Sequence, residues 1–323
     1  MRSREENMPL VTVAMVAYNS EKYIRSAIES VLSSSYRNFE LLIADDNSTD
    51  NTWEIIQSYD DSRIRAIRNE RNLGEYPNRD QCARLAAGEY FIFIDGDDIV
   101  YPHGLEFMVR MLDAFPDCGM ALMCWFRNYI VFPAVISPRQ FYIGEYFGHG
   151  FLGTAFSNVL FRTEILKKAG GLVSAYKSGD NYIRYKIALQ HNSLLINDGL
   201  TWWRETPGQA SQVHERSGEL FVESYKLKFE FLEKGDCPLS KEERRMAKDN
   251  LYVVLSRAAL KSLIKFDIKK AFRIMGQLKM PLQYLFIFLR RPVEISPFEG
   301  HGPANPYMLS FEKNPYSKYS ETR

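Results

Sequence analysis

The sequence has no long apolar run. Although 46% of its 323 residues are hydrophobic, no stretch approaches the roughly 18 apolar residues of a spanning helix, so an integral membrane protein is not expected. Met1 to Met8 is polar and charged and lacks an apolar centre of signal-peptide length, so secretion is not expected either. Cysteine is scarce. Cys82, Cys118, Cys124 and Cys237 share no CxxC spacing, which excludes a zinc ribbon and a disulfide framework and points to reduced thiols in a cytoplasmic chain. Net charge is nearly absent at +1. The balance conceals an asymmetry: Ser240 to Arg291 holds thirteen Lys/Arg against four Asp/Glu. No nucleic-acid recognition module accompanies that basic stretch, so nucleic acid is not an expected partner.

What is present centres on Tyr90 to Asp98, Tyr-Phe-Ile-Phe-Ile-Asp-Gly-Asp-Asp. The apolar half reads as a central parallel strand buried on both faces. Asp95, Asp97 and Asp98 then crowd its end, and like charges that close repel unless solvent or a cation sits among them. Mg2+ or Mn2+ held by one or two carboxylates and a substrate's phosphates suits such a strand end. A solvated Asp-Gly turn is the alternative.

The chain around this stretch alternates strand, polar cluster and helix. Leu10–Ala17 is a β-branched strand ending at Tyr18-Asn19-Ser20, where Ser20 or Asn19 can cap a helix carrying Ile24, Ala27, Ile28, Val31 and Leu32 on one face. Phe39–Ala44 and Ile64–Ile67 read as further strands, with a helix through Trp53 between them and another over Asn78–Ala87. The pattern implies βαβ units and a parallel sheet, with ligands at the carboxyl ends of the strands. Tyr18, Asp46, Arg79 and Asp97 could meet there. Beyond it, Leu105–Leu112 is helical, and Met120–Trp125, Asn128–Val135, Phe156–Phe161, Leu194–Ile196 and Thr201–Arg204 read as strands. Tyr142–Thr154 reads as an aromatic loop, either lining a sugar site or simply packed. Asp180 stands at a helix start as a cap or as a reactive carboxylate; taken alone, the cap fits better.

The C-terminal third reads as helices over Glu219–Lys234, Ser240–Lys265 and Asp267–Leu278, the second opening with the capping box Ser240-Lys241-Glu242-Glu243. Pro281–Leu289 is apolar and is followed by Arg290-Arg291-Pro292. Such a patch can rest peripherally on the inner face of an anionic membrane, or pack between domains. The tail from Phe298 reads as extended or disordered.

In this order, Val11-Thr12-Val13 through Tyr18-Asn19, Phe39 to Asp50, Asn72-Leu73-Gly74, Ala87 to Tyr90 leading into Asp95-Gly96-Asp97-Asp98, and Gly179-Asp180 resemble a family 2 glycosyltransferase of the inverting GT-A type. Trp203-Arg204 followed by Pro207 to Ser211 resembles the segment that closes the catalytic domain. The resemblance covers about residues 8 to 215. It implies a Rossmann-like α/β fold with a mostly parallel sheet over residues 1–215, a helical extension over 216–292 and a tail over 293–323. Tyr18 would stack on a nucleotide base, Asp46 would accept from a ring N–H of uracil, and Arg79 would face base or diphosphate. Asp97, with Asp95 or Asp98, would hold Mn2+ or Mg2+ on the diphosphate, and Asp180 would take the acceptor's proton. The family more often has Glu-Asp where this chain has Gly179-Asp180, and a His where it has Thr206. The Gln-x-x-Arg-Trp signature of processive synthases is absent, implying one sugar per encounter.

The expected activity is transfer of a hexosyl or N-acetylhexosaminyl group from a nucleotide sugar, a UDP-sugar, to a glycan or lipid-linked acceptor, as in polysaccharide biosynthesis. A glycan- or nucleotide-binding protein that has lost turnover is the alternative, and the presence of Asp95, Asp97 and Asp180 argues against it. A phospho-acceptor signalling domain would need Ser or Thr at the end of the Tyr90 strand, where this chain has acid.

Overall fold

The structure is a computed structural model that describes residues 8–124, 131–148, 150–172, 178–206, 219–277, 284, 287–295 and 297. Its sheet begins with β1 (Val11–Ala17), β2 (Phe39–Asp45), β3 (Ile64–Arg68) and β4 (Tyr90–Phe93), interleaved with α1 (Ile24–Leu32), α2 (Thr52–Gln57) and α3 (Glu75–Leu85). After β5 (Ile99–Val100) and α4 (Gly104–Asp113) come β6 (Cys118–Cys124), β7 (Ala134–Ile136), α5 (Pro138–Phe147), β8 (Val159–Arg162), α6 (Thr163–Lys168), α7 (Gly179–Gln190), β9 (Asn192–Asn197) and β10 (Thr201–Trp202). Three helices follow: α8 (Glu219–Glu233), α9 (Lys241–Ile264) and α10 (Ile268–Gln277).

The eight-stranded sheet runs β3-β2-β1-β4-β8-β6-β9-β7. Its first four strands are mutually parallel, whereas β8 is antiparallel to both β4 and β6, and β7 to β9. The mostly parallel sheet flanked by helices, with helices added at the C-terminus, is the GT-A-type architecture the sequence implies. Successive residues of a strand face opposite sides, and both sides of β1 are buried. Val11, Val13 and Met15 pack with α1, α2 and α4, while Ala14 joins Phe91 and Phe93 in a second core under α3, α5 and α7. Leu227, Phe231 and Leu232 of α8 enter that second core directly.

Several sequence expectations are corrected. Tyr142–Thr154 is not a loop as far as residue 147: Ser137 and Gln140 form a capping box, Pro138 occupies the first turn, and helix α5 results. Its aromatics are core. Tyr142 and Tyr146 pack on Tyr185, which stacks on Phe231 at 4.8 Å. Helix α3 starts at Glu75 rather than Asn78, directly after Gly74, whose φ of 88° favours glycine. Neither Asn19 nor Ser20 caps α1 with its side chain; the Ser20 carbonyl accepts from Tyr23 and Ile24 instead. Phe156–Asn158 is a 3-10 turn before β8, and β10 ends at Trp202. Of the strand expected at 128–135, residues 128–130 lie outside the described residues, as do the 207–211 segment and the tail from 298. The part of Pro281–Leu289 that is described packs on α9: the Tyr284 ring stacks on Tyr252 at 4.2 Å, and its hydroxyl donates to Asp249 at 3.0 Å.

Candidate active site

Parallel strands end together, which gathers the loops after β1, β2 and β4. The β1–β2 register pairs Ala17 with Asp45, and Asp46 N donates to Ala17 O at 2.8 Å. Past the end of β4, Ile94 N and Gly96 N continue the ladder onto Ala14 O and Val16 O. Asp95 and Asp97 are thereby carried to the edge where Tyr18 stands, half exposed. Residues 201–206 are laid over the same edge because β10 pairs with β5. Arg204 then fastens them, its backbone N donating to Asp98 Oδ1 at 3.1 Å and its Nε to Asp97 O at 2.8 Å.

A cavity of about 1070 Å3 opens at this edge. Tyr18, Arg79, Asp95, Asp97 and Asp180 all line it. Arg79 and Asp95 form a two-armed ion pair, Nη1 to Oδ1 at 2.7 Å and Nη2 to Oδ2 at 2.9 Å, with the guanidinium over the rings of Phe93 and Phe156. Burial alone would lower the Arg79 pKa, but Asp95 and then Glu75 overcome it and raise it above the ordinary value. Asp180 sits in the first turn of α7, two residues past the cap position, which Ser178 holds. Its Oδ2 is held by the buried Arg184 at 2.5 Å, while Oδ1 lies 3.5 Å from the Tyr76 hydroxyl. Arg184 is itself fixed by Thr154 O and Asn181 Oδ1. The Asp180 carboxylate is therefore oriented from behind.

Two expected residues do not line the cavity. Asp46 builds the wall: Oδ1 accepts from Asn69 Nδ2 and Leu73 N, both at 2.8 Å, and Oδ2 from Gly74 N at 2.9 Å. These bonds shape the turn that starts α3, and a carboxylate with about four acceptor positions keeps one in reserve. Asp98 is buried beneath the edge on Arg204 N, and burial, followed by the nearby Asp95, pushes its pKa up to about 8.

Among the described residues no group of three or more His, Cys, Asp and Glu side chains is arranged to hold a metal ion. The donor set that fits one is smaller. Asp95 is matched by Arg79, whereas burial and then Asp95 raise the pKa of Asp97 against the opposing pull of the Thr206 hydroxyl, which donates to its Oδ2 at 3.3 Å, and of Arg204. Among the described residues Asp97 has no ion-pair partner, and such a carboxylate at a cavity wall suits Mg2+ or Mn2+, which commonly takes one or two protein carboxylates plus substrate phosphates.

Sequence reasoning missed Glu75 and Tyr76. Glu75 keeps 48% of its side-chain surface open yet is enclosed by the cavity walls. Burial raises its pKa, Arg79 opposes this, and Asp95 and Asp180 add to the rise. Tyr76 explains the glycine before Asp180, because a Cβ at Gly179 would fall 2.8 Å from two carbons of the Tyr76 ring. Placing the start of α3 three residues late hid both.

The model of glycosyl transferase family 2 matches residues 12–170. The segment over residues 12–170 belongs to glycosyl transferase family 2. The match stops before Asp180, so the α7 carboxylate and everything after it rest on this chain's own geometry. The curated relatives include the E. coli UDP-Glc:alpha-D-GlcNAc-diphosphoundecaprenol beta-1,3-glucosyltransferase WfaP. It is 43% identical over 91 residues, which are 28% of this chain and 36% of the relative. A second E. coli enzyme of the same description, WfgD, is 39% identical over 103 residues, 32% of this chain and 41% of its own. The chain thus spans less than half the length of these two relatives. Among solved structures, S. aureus TarS 1-349 in complex with UDP-GlcNAc superposes with a TM-score of 0.59 at 18% identity, covering 83% of this chain and 91% of that one. At that identity the likeness is one of fold. In this family 2 domain, then, the central cluster is Tyr18, Arg79–Asp95 and Asp97, and α7 adds Asp180 from beyond the matched segment.

Proposed function

We propose that the chain transfers one sugar per encounter from a UDP-sugar to a hydroxyl of a glycan or lipid-linked acceptor, with inversion at the anomeric carbon. The observation that carries this reading is the convergence of Asp97 and Asp180, 83 positions apart in sequence, on one cavity. The relatives' names supply UDP-Glc and a diphosphoundecaprenol acceptor as the chemistry to test first.

Tyr18 offers an exposed ring for the base. The Asp46-braced turn walls the base side and keeps an acceptor position for a ring N–H. Asp97 would hold Mg2+ or Mn2+ on the diphosphate, with Asp95 kept in place by Arg79. When bound, the cation supplies Lewis-acid stabilisation of the charge on the departing nucleoside diphosphate. In the transfer, the acceptor oxygen forms its bond to the anomeric carbon as the bond to the diphosphate oxygen breaks, and Asp180 takes the hydroxyl proton. Arg184, on the far oxygen, holds that carboxylate toward the cavity.

Release of UDP across a panel of UDP-sugars and acceptors, with Mn2+ present, tests the reading. Wild type is expected to turn over, and Asp180→Asn to fall about 100- to 10,000-fold, the range for general base removal. If wild type and Asp180→Asn give the same background, the chain is a binding protein rather than a transferase. Asp97→Ala should weaken Mn2+-dependent UDP binding; unchanged affinity removes Asp97 from the site.

A further inference from the structure

The cavity has a second end, made by the C-terminal helices. Lys261 in the last turn of α9, Lys265 at its C-cap one turn on, and Lys270 on α10 line it with Ser262, Asp267 and Ile274. Among the described residues none of the three lysines is in an ion pair. The nearby acids are already engaged: Asp267 accepts from the backbone of Lys270, and Glu219 lies 3.9 Å from Arg273. Among the described lining residues, three lysines against the Asp267 carboxylate leave a net positive charge at this end of the cavity.

Just outside this basic end, the corner where α9 turns into α10 exposes large apolar residues. Phe266 is 88% exposed, Ile264 69%, Phe272 65% and Ile268 55%. Ile268 and Phe272 are one turn apart, as are Lys270 and Ile274, so α10 presents an apolar face beside its cavity face. Phe266 is the informative member. It ends α9 in a Schellman motif, with Phe266 N donating to Leu263 O and Asp267 N to Ser262 O, and its φ is +58°. That position favours glycine, and a bulky side chain there is strained. A phenylalanine that is both strained and almost fully exposed gains nothing from folding, which points to a surface it meets in another phase.

We propose that Lys261, Lys265 and Lys270 bind the diphosphate of a membrane-embedded lipid acceptor while the Phe266 corner enters the bilayer surface. This deepens the transferase reading and rests on it. An acceptor held this way lies along the cavity with its apolar tail at the corner, its diphosphate at the lysines and its sugar hydroxyl toward Asp180. Apolar residues flanked by cations are the composition that lies in a headgroup region. The lysines sit where a lipid's charged group would then enter the protein.

Cosedimentation of the full chain tests this, using phosphatidylcholine vesicles alone, doped with a polyprenyl diphosphate, or doped to equal charge with phosphatidylglycerol. Wild type should prefer the diphosphate vesicles. Each lysine near an anionic surface is worth about fivefold, so Lys261→Ala/Lys265→Ala/Lys270→Ala should weaken that binding on the order of a hundredfold and leave UDP affinity unchanged. Phe266→Gly should raise the melting temperature and weaken binding to every anionic vesicle, a pairing that a purely structural residue would not give. Equal binding of wild type and the triple variant, or of both doped vesicles, overturns the diphosphate site. Inorganic pyrophosphate bound as tightly as the doped vesicles overturns the lipid assignment. A wild type that binds these vesicles but not UDP removes the nucleotide reading and leaves the lysine site standing.

Discussion

Replacing Gly179 by alanine is the smallest change that tests how the cavity is built. The added Cβ would lie 2.8 Å from Tyr76 Cδ1 and Cε1 and 3.1 Å from Cγ. Carbon atoms pack at about 3.5–4.0 Å, so ring and helix must separate by about 0.7–1.2 Å. Overpacking of this kind costs about 1–3 kcal/mol. Alanine is otherwise better than glycine in a helix by up to about 1 kcal/mol, leaving a net loss of about 1 kcal/mol. With the ring removed by Tyr76→Ser the clash is gone, and the same Gly179→Ala change should stabilise by about 0.5–1 kcal/mol. The sign reversal corresponds to a coupling of about 1.5–2 kcal/mol, within the range for residues in contact. Activity should fall further than stability. Asp180 is the next residue, and its Oδ1 lies 3.5 Å from the displaced hydroxyl; misplacement by about 1 Å can cost on the order of a hundredfold in kcat. Urea unfolding of the four species and UDP release with saturating donor measure both effects. Gly179→Ala acting with the same sign in both backgrounds would refute the packing argument, and unchanged kcat would separate Tyr76 from the site.

Arg79→Leu leaves Asp95 without its partner at the cavity edge and should cost about 2–4 kcal/mol, below the upper range for fully buried pairs because Asp95 is partly open; loss of UDP binding should accompany it, and intact stability by denaturant titration would contradict the ion pair. Glu243 accepts from both Arg139 nitrogens, at 2.6 and 2.9 Å, and the Arg139 guanidinium, offset in part by burial, brings its pKa down to about 2. A carboxyl lowered on folding contributes stability above its ordinary pKa near 4.5 and loses it as pH falls through about 2. Glu243→Gln should therefore flatten the acid limb of stability between those values; a limb as steep as wild type would show that the pair contributes nothing. Burial pushes the thiols of Cys82, Cys118 and Cys124 up to about 12, so a thiol-specific reagent should titrate them only after denaturation, and rapid labelling of the native chain would contradict their placement.

The strands were legible because burial on both faces of a parallel sheet writes itself as short β-branched and aromatic runs, as in Val11–Ala17 and Tyr90–Phe93. The convergence of Tyr18, Asp95 and Asp97 followed from strand order alone, since each lies just past the end of a neighbouring parallel strand. Helix α5 was misread because Gly144 and Gly148 look like loop residues, while the cap that starts the helix, Ser137 with Gln140, precedes the aromatic run. Asp98 could not be told from Asp97 by sequence: adjacent residues past a strand end point in different directions, and only the Arg204 segment, over a hundred positions later, shows which one turns inward. The basic wall was visible as a charge excess over Ser240–Arg291, but not which of its lysines line the cavity, because that depends on how α9 and α10 cross the sheet domain.

The boundary drawn at 215 follows the extent of the family resemblance, and contacts cross it between the sheet and the C-terminal helices. Phe231 stacks on Tyr185, the Tyr146 hydroxyl donates to Lys228 O at 2.8 Å, and Asn250 Nδ2 donates to Tyr146 O at 3.2 Å. Leu227, Phe231 and Leu232 are fully buried against residues of α5 and α7. At about 1.5–3 kcal/mol for each buried side chain, these three alone represent about 5–9 kcal/mol, comparable with the whole stability of a typical domain. A chain ending at 215 would expose Tyr142, Tyr146 and Tyr185 as an apolar patch and lose the lysine wall of the cavity. It is expected to aggregate or to melt far below the full chain in calorimetry. A soluble, monomeric truncation with full UDP affinity would show that the sheet domain closes its core without these helices, and that their place is at the acceptor end alone.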